Sequence, residues 1–389
     1  MPDYGHVAAL TGQRSIAVHQ FPVPEIEDDG ILLGIGLSGV CGSDLHRYQE
    51  IGVGLDLPVP VVMGHEISGR ILKLGRRANE VMNADGPLRE GDRVVVYAQR
   101  PCGQCRWCRE FGFSARCDGA RPVGYGYRYG TIDAAPYFTG GFGDYLVLGP
   151  GSWIWKIPHA VPWEAAVLTE PFSMGIRAVE RAMSLPSWKN EQTLAFGGTV
   201  VVLGAGAIGV LTATAARIAG ASTIILIGAP AGALEIARRI GVADVMIDVN
   251  RVGPTERIKQ VRSLTRDGIG ADVVFEAAGV PMAFLEGLEM LRPLGTYVEL
   301  GCMADNGQTV PLNVARHLTQ KDLILYSVAA QPPQSIGKAI RTIAATHTRI
   351  DYPALVGQTL PIEGTGRAFE LMEDKEAKPI KVAVRGAGY

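Results

Sequence analysis

Compact apolar runs spaced by helical stretches organise the second half of the chain. From Thr199 onward TVVVL, TIILI, VMIDV, ADVVFEA, TYVEL and LILYS appear as short hydrophobic blocks, and the first five alternate with segments rich in Ala, Leu, Glu and Arg. Strands that are apolar throughout are buried on both faces, as in parallel sheets whose strands are joined by crossover helices. The pattern therefore predicts a doubly wound parallel α/β sheet. Residues 1 to about 170 have a different texture. They are rich in Gly and Pro and carry short runs such as GILLGIGLSG, EISGRILKLG and DRVVVYA, which predicts an irregular, mainly β region. From about Gln334 the pattern returns to helix, strand, helix, strand and ends in PIKVAVR, a segment expected to pack back on the first domain. The expected division is 1–174, 175–333 and 334–389. Within the first of these, residues 119–151 are dense in Gly, Tyr and Phe and read as an extended loop region near a cleft.

A length of 389 residues exceeds what one core usually supports, in agreement with two domains. With 47% hydrophobic and 20% charged residues the composition is that of an ordinary globular chain. A formal net charge of −2 and the absence of any Lys/Arg run argue against nucleic acid as a partner. The segment MPDYGHVAAL has neither a basic n-region nor a long apolar h-region, so a cytoplasmic, leaderless protein with no membrane association is expected.

The candidate chemistry begins with Gly204-Ala205-Gly206-Ala207-Ile208-Gly209. These residues follow the strand TVVVL and open a helix, the context that the dinucleotide fingerprint G-x-G-x-x-G requires. Gly204 permits the tight turn, Gly206 lets the backbone approach a pyrophosphate, and Gly209 brings helix and strand together; the helix N-terminus supplies unpaired N–H groups. A larger residue at Gly206 is expected to block the cofactor. At the end of the second strand Gly228-Ala229-Pro230 stands where an Asp would hold the ribose of NAD, and no Arg or Lys beside it replaces the acid. NAD and NADP both remain open, and Gly228→Asp is expected to shift preference toward NAD.

Four of six cysteines, Cys102, Cys105, Cys108 and Cys117, form C-x-x-C-x-x-C-x(8)-C. That density suits a tetrahedral zinc with no vacant position, hence a structural lobe at about 100–118. An iron–sulfur cluster is the other metal reading, but the flanks lack a ferredoxin-type arrangement. A second, dispersed set consists of Cys41 in GVCGSDLH, His65 and Glu66 in GHE, and Glu170 in LTEPFSMGIRA. One thiolate, one imidazole and carboxylates together make the mixed ligand set of a catalytic zinc.

GVCGSDLH, GHE, the four-cysteine loop, EPFSMGIRA and GAGAIG stand in the order and approximate spacing of the zinc-containing medium-chain alcohol and polyol dehydrogenases, which the chain resembles along nearly its whole length. The resemblance implies a GroES-like, mainly β catalytic domain and a Rossmann nucleotide-binding domain, with the chemistry in the cleft between them. It implies that Cys41 and His65 ligate the catalytic zinc and that Glu66 and Glu170 ligate it or hold its water. Asp44 would hydrogen-bond His65, Ser43 and His46 would relay the proton, and Lys381 would meet the pyrophosphate. Glu170, where many simple alcohol dehydrogenases have Cys, points to the polyol branch. The implied reaction is reversible hydride transfer between a secondary, polyol- or sugar-like alcohol and NAD or NADP, by a homodimer or homotetramer. Some features depart from the pattern: Cys108 and Cys117 are one residue further apart than usual, Tyr326 stands at a position often held by Gly, and the aromatic loop has no counterpart. Two rivals differ in class. A zinc-free quinone or enoyl reductase needs neither Cys41, His65 nor the cysteine loop, and a non-enzymatic dinucleotide-binding protein would not keep all ligand and relay residues.

Overall fold

A computed structural model of the chain describes residues 2–49, 59–117, 126–184, 194, 197–302, 305, 307–374 and 378–389. The start of the aromatic loop, 119–125, lies outside the described residues. Two compact units emerge. One comprises Met1–Glu170, Pro332–Asp374 and Lys381–Tyr389, and the other is Pro171–Gln331 with 378–380. Among the described residues, no helix is long and apolar enough to cross a membrane.

The first unit contains β1 (Tyr4–Gly12), β2 (Ser15–Pro22), β3 (Ile31–Gly39), β4 (Val61–Val62), β5 (Glu66–Leu74), β6 (Asn83–Ala84), β7 (Arg93–Tyr97), β8 (Gly130–Thr131), β9 (Tyr145–Leu148) and β10 (Trp153–Lys156). The second contributes β11 (Thr199–Leu203), β12 (Thr223–Gly228), β13 (Val245–Asp248), β14 (Ala271–Glu276), β15 (Leu291–Glu299) and β16 (Ile324–Ser327). The first unit closes with β17 (Val356–Pro361) and β18 (Lys381–Arg385).

In the first unit a small sheet runs β2-β1-β4-β8, and a larger one runs β17-β18-β3-β5-β7-β10-β6, with β9 also on β3. All nine residues of β3 are buried because the strand has a core on each face. Ile31, Leu33 and Ile35 enter one apolar cluster with Ile67, Val94 and Leu146, while Leu32 points the other way, toward Val7, Phe142 and Phe369. That is the period-two alternation of a strand, made apolar on both sides. The late strand β18 pairs with β3, so the C-terminal segment completes a sheet that the N-terminal segment begins.

In the second unit the order β13-β12-β11-β14-β15-β16 is entirely parallel. Chain order 3-2-1-4-5-6 reverses between β11 and β14, the switch point beside which such sheets bind dinucleotides. Val200, Val201 and Val202 are fully buried in the central strand β11; each such side chain contributes about 1.5–3 kcal/mol of apolar burial. The run TYVEL marks only the second half of β15, which starts at Leu291 and shifts register before rejoining β14 at Thr296.

Candidate active site and metal centres

Strand β3 delivers Cys41. Immediately after it the chain turns into the helix Gly42–Gln49, and the Asp44 carboxylate in the first turn accepts the Cys41 N–H at 3.1 Å. The other Asp44 oxygen stands 3.2 Å from Nδ1 of His65, which directly precedes β5. Pairing of β3 with β5 sets Gly39 opposite Glu66, and so brings the end of one strand beside the start of the other. A side chain at Gly39 would run into the Glu66 carboxylate, so glycine there lets Glu66 lie across β3.

Asp44 and Glu66 are fully buried and His65 nearly so. Burial alone would lower the His65 pKa, but the Asp44 carboxylate outweighs it and holds His65 well above the ordinary value. Burial would likewise raise Asp44, and the His65 charge reverses this to a lowered value. With Nδ1 facing Asp44, Nε2 is the ring nitrogen left for a metal. Glu66 is raised by burial and by the Glu170 charge, against the opposing pull of Lys381. Its Oε1 accepts from Lys381 Nζ at 2.7 Å, while its Oε2 is buried with no hydrogen-bond partner. Glu170 sits in the first turn of the helix Thr169–Met183. A thiolate, an imidazole, an orphaned carboxylate oxygen and a second carboxylate fit zinc by donor chemistry. The set is open, since no three of these donors lie within 4.8 Å of one another. Ser43 and His46, three residues apart on the Gly42–Gln49 helix, are both half-buried on neighbouring positions of one face.

The four cysteines behave differently. Donor sulfurs of Cys102, Cys105, Cys108 and Cys117 all lie within 4.8 Å of one another. Cys105 Sγ is 3.6 Å from Cys108 Sγ and 3.8 Å from Cys117 Sγ, close to the edge of about 3.8 Å that a tetrahedron with 2.3 Å Zn–S bonds requires. The backbone N–H of Cys102 donates to Cys117 Sγ at 3.1 Å and that of Cys105 to Cys102 Sγ at 3.3 Å, contacts that stabilise thiolates. Left-handed φ of +71° at Gly103 makes the turn.

In the second unit the three fingerprint glycines prove unlike. Gly204 has φ +109°, and a Cβ there would come within 2.7 Å of the Ala277 backbone. A Cβ at Gly209 would strike the Gly204 carbonyl oxygen. Gly206, the N-cap of the helix Ala207–Ile218, has φ −77°, and a Cβ there would meet no atom within 4 Å, so the protein's own packing does not demand glycine. The space above an exposed, uncapped helix N-terminus is the space a pyrophosphate fills.

Family comparisons agree with this geometry. Residues 27–159 match the alcohol dehydrogenase GroES-like domain and residues 207–345 match the zinc-binding dehydrogenase domain. Sorbitol dehydrogenase of Bacillus subtilis is 27% identical over 385 residues, covering 99% of this chain and 98% of its own. The chain is a zinc-containing medium-chain dehydrogenase. D-xylulose reductase A of Aspergillus oryzae is 28% identical over 379 residues, covering 97% of this dehydrogenase and 95% of its own length. Among solved structures, an alcohol dehydrogenase of Thermotoga maritima superposes with a TM-score of 0.85 at 25% identity, covering 98% of this chain and 99% of its own. The dehydrogenase is thus an oxidoreductase of the polyol and alcohol class, working with zinc and NAD or NADP.

Two expectations about this dehydrogenase change. Lys381 does not offer its amine to a pyrophosphate: it is buried at the start of β18, where Nζ donates to Glu66 Oε1 and, at 3.0 Å, to the Val40 carbonyl. The register of β18 against β3 forces this, because Lys381 enters the sheet two residues before Ala383 pairs with Gly39. Gly228 does end β12, but a Cβ there would lie 2.5 Å from the Ala205 backbone nitrogen. Glycine at 228 therefore serves the close approach of the fingerprint turn, and Gly228→Asp has no room for its carboxylate. One residue escaped the sequence argument altogether. Arg128, from the Gly- and Tyr-rich stretch, donates from Nη2 to Ser43 Oγ at 2.7 Å. A solitary basic residue inside the run YGYRYG was the available signal.

Proposed function

We propose that this dehydrogenase interconverts a secondary, polyol- or sugar-like alcohol and its ketone, with Cys41, His65 and either Glu66 or Glu170 holding the catalytic zinc. The observation that carries the reading is the buried, unpartnered Glu66 Oε2 beside the Asp44-oriented His65 and Cys41. When bound, zinc lowers the pKa of the substrate hydroxyl and the nicotinamide accepts the hydride. Asp44 fixes the imidazole so that Nε2 faces the ion. Ser43 Oγ, with one donor and two acceptor positions, takes the proton leaving the substrate hydroxyl, and His46 on the next turn passes it outward. Lys381 opposes the rise in the Glu66 pKa that burial and Glu170 cause. Residues 204–209 cradle the dinucleotide phosphates, and Cys102, Cys105, Cys108 and Cys117 hold a structural zinc. The protein acts in the cytoplasm as a homodimer or homotetramer, without nucleic-acid partners.

Metal analysis together with alcohol-dependent NAD(P)H formation tests the reading. Two zinc ions per chain are expected, and Cys41→Ser should retain the fold and one zinc but lose turnover by at least about a thousandfold, roughly 4 kcal/mol of barrier. Zinc-free protein that still oxidises alcohols would refute it.

A further inference from the structure

Arg128 is half-buried, packs its guanidinium 5.4 Å from the centroid of the Tyr129 ring, and hydrogen-bonds Ser43 through Nη2 alone. Its Nε is buried without a partner, and no carboxylate among the described residues lies within ion-pair distance. Tyr129 first, then Asp44, Cys41 and Glu170, act on it through their fields. A guanidinium cannot shed its charge and carries five donors in a planar fork, so one hydroxyl contact leaves it short of acceptors. Structural arginines in such places are normally paired; this one is held in position with no carboxylate partner among the described residues.

Ser43 fixes what that position means. Its hydroxyl offers two acceptor positions, and Arg128 occupies one, leaving the other for the reacting alcohol. Two hydrogen bonds of about 2.7–2.8 Å in series put the reacting oxygen about 5.5 Å or less from the guanidinium. A group on the carbon next to the carbinol, or one further, spans that gap. We propose that the substrate carries a carboxylate there, bound by Arg128, so that the enzyme oxidises a hydroxy acid of the aldonate type in preference to a neutral polyol. Carboxylate geometry suits the fork, whereas polyol hydroxyls would leave the cation uncompensated. This inference rests on Ser43 lying at the reacting hydroxyl, and so on the dehydrogenase reading above.

The test uses the zinc-loaded full chain with NAD and NADP, on a panel of aldonates, the matching alditols and the matching alditol phosphates. The best aldonate should exceed its alditol in kcat/KM by at least a hundredfold. Arg128→Gln should shrink that ratio below tenfold, chiefly through KM for the acid, and Arg128→Lys should fall between. Alditols preferred by the unmodified enzyme would overturn the inference, as would phosphates preferred over carboxylates or an Arg128→Gln variant that weakens acid and alditol equally. The substrate ratio of the unmodified enzyme decides the matter even if the variants fold poorly. Should no alcohol of either charge reduce either cofactor, the dehydrogenase reading itself has failed; rapid alditol oxidation with poor aldonate oxidation removes only the carboxylate.

Discussion

Gly206→Val separates a glycine kept for a ligand from glycines kept for the fold. At φ −77° any residue fits, and a Cβ meets no protein atom within 4 Å. The cost to the apoprotein is that of replacing an N-cap glycine by a poor cap, about 0.5–1 kcal/mol, or a fall of about 1–4 °C in thermal midpoint for a unit of this size. Gly204→Ala is the contrast, since φ +109° and the 2.7 Å approach to Ala277 combine backbone strain with overlap; the strain alone costs about 1–3 kcal/mol. For the cofactor the order reverses. An isopropyl group over the helix N-terminus displaces the pyrophosphate from its N–H donors, and a loss of at least about a hundredfold in affinity, near 2.7 kcal/mol, is expected. Fluorescence titration with NADH and NADPH, beside thermal melting of both variants, provides the assay. Unchanged affinity in Gly206→Val, or a melting loss as large as that of Gly204→Ala, would refute the assignment of that space to the dinucleotide.

Cys105→Ser should lower zinc content by one ion per chain and the thermal midpoint by at least about 5 °C, while the surviving folded enzyme keeps most of its turnover; elemental analysis with melting curves checks this. Lys381→Met leaves Glu66 as an uncompensated buried charge and should cost about 3–5 kcal/mol, seen in urea unfolding, with cofactor affinity shifted less than about threefold. A large affinity loss without destabilisation would restore the pyrophosphate role. Glu276 is fully buried, and burial, then Glu299, pushes its carboxyl up to about 8. The folded chain thus holds a proton that the unfolded chain releases near 4.5, so this stabilising contribution is full below about 4.5 and is lost as pH rises through about 8. Glu276→Gln keeps an acceptor for the Ala278 and Gly279 N–H groups and should gain on the parent by up to about 1.4 kcal/mol per pH unit across that window. Parallel stability profiles from pH 5 to 9 would contradict the buried proton.

Periodicity made the parallel sheet legible because its strands are buried on both faces, so each appears as an unbroken apolar run that composition alone exposes. The cysteine lobe was legible for another reason: its four cysteines are neighbours in sequence, and spacing carries geometry directly. The dispersed site is harder. Cys41 and His65 meet through the register of β3 against β5, which no single window contains. Lys381 arrives from the far end of the chain through β18, and only the pairing of Ala383 with Gly39 reveals that its amine ends on Glu66. At Gly228 the missing side chain marks close contact with Ala205 on the neighbouring turn rather than a missing function.

Charge explains why the buried site takes the form it does. Asp44, Glu66 and Glu170 gather acidic groups beside the Cys41 thiol, and Lys381 and Arg128 stand against them as cations. His65, held above its ordinary pKa by Asp44, adds to the positive side. Burying acidic groups in a mainly apolar sheet is costly unless counter-charges accompany them. The two cations have different duties within that balance. Lys381 is locked by two hydrogen bonds from a strand and cannot turn toward a ligand. Arg128 is fastened by a single hydroxyl, that of Ser43, the group proposed to touch the substrate. Lys381 thus answers a charge that the protein itself carries, and the Arg128 guanidinium is left to answer one carried by the proposed substrate.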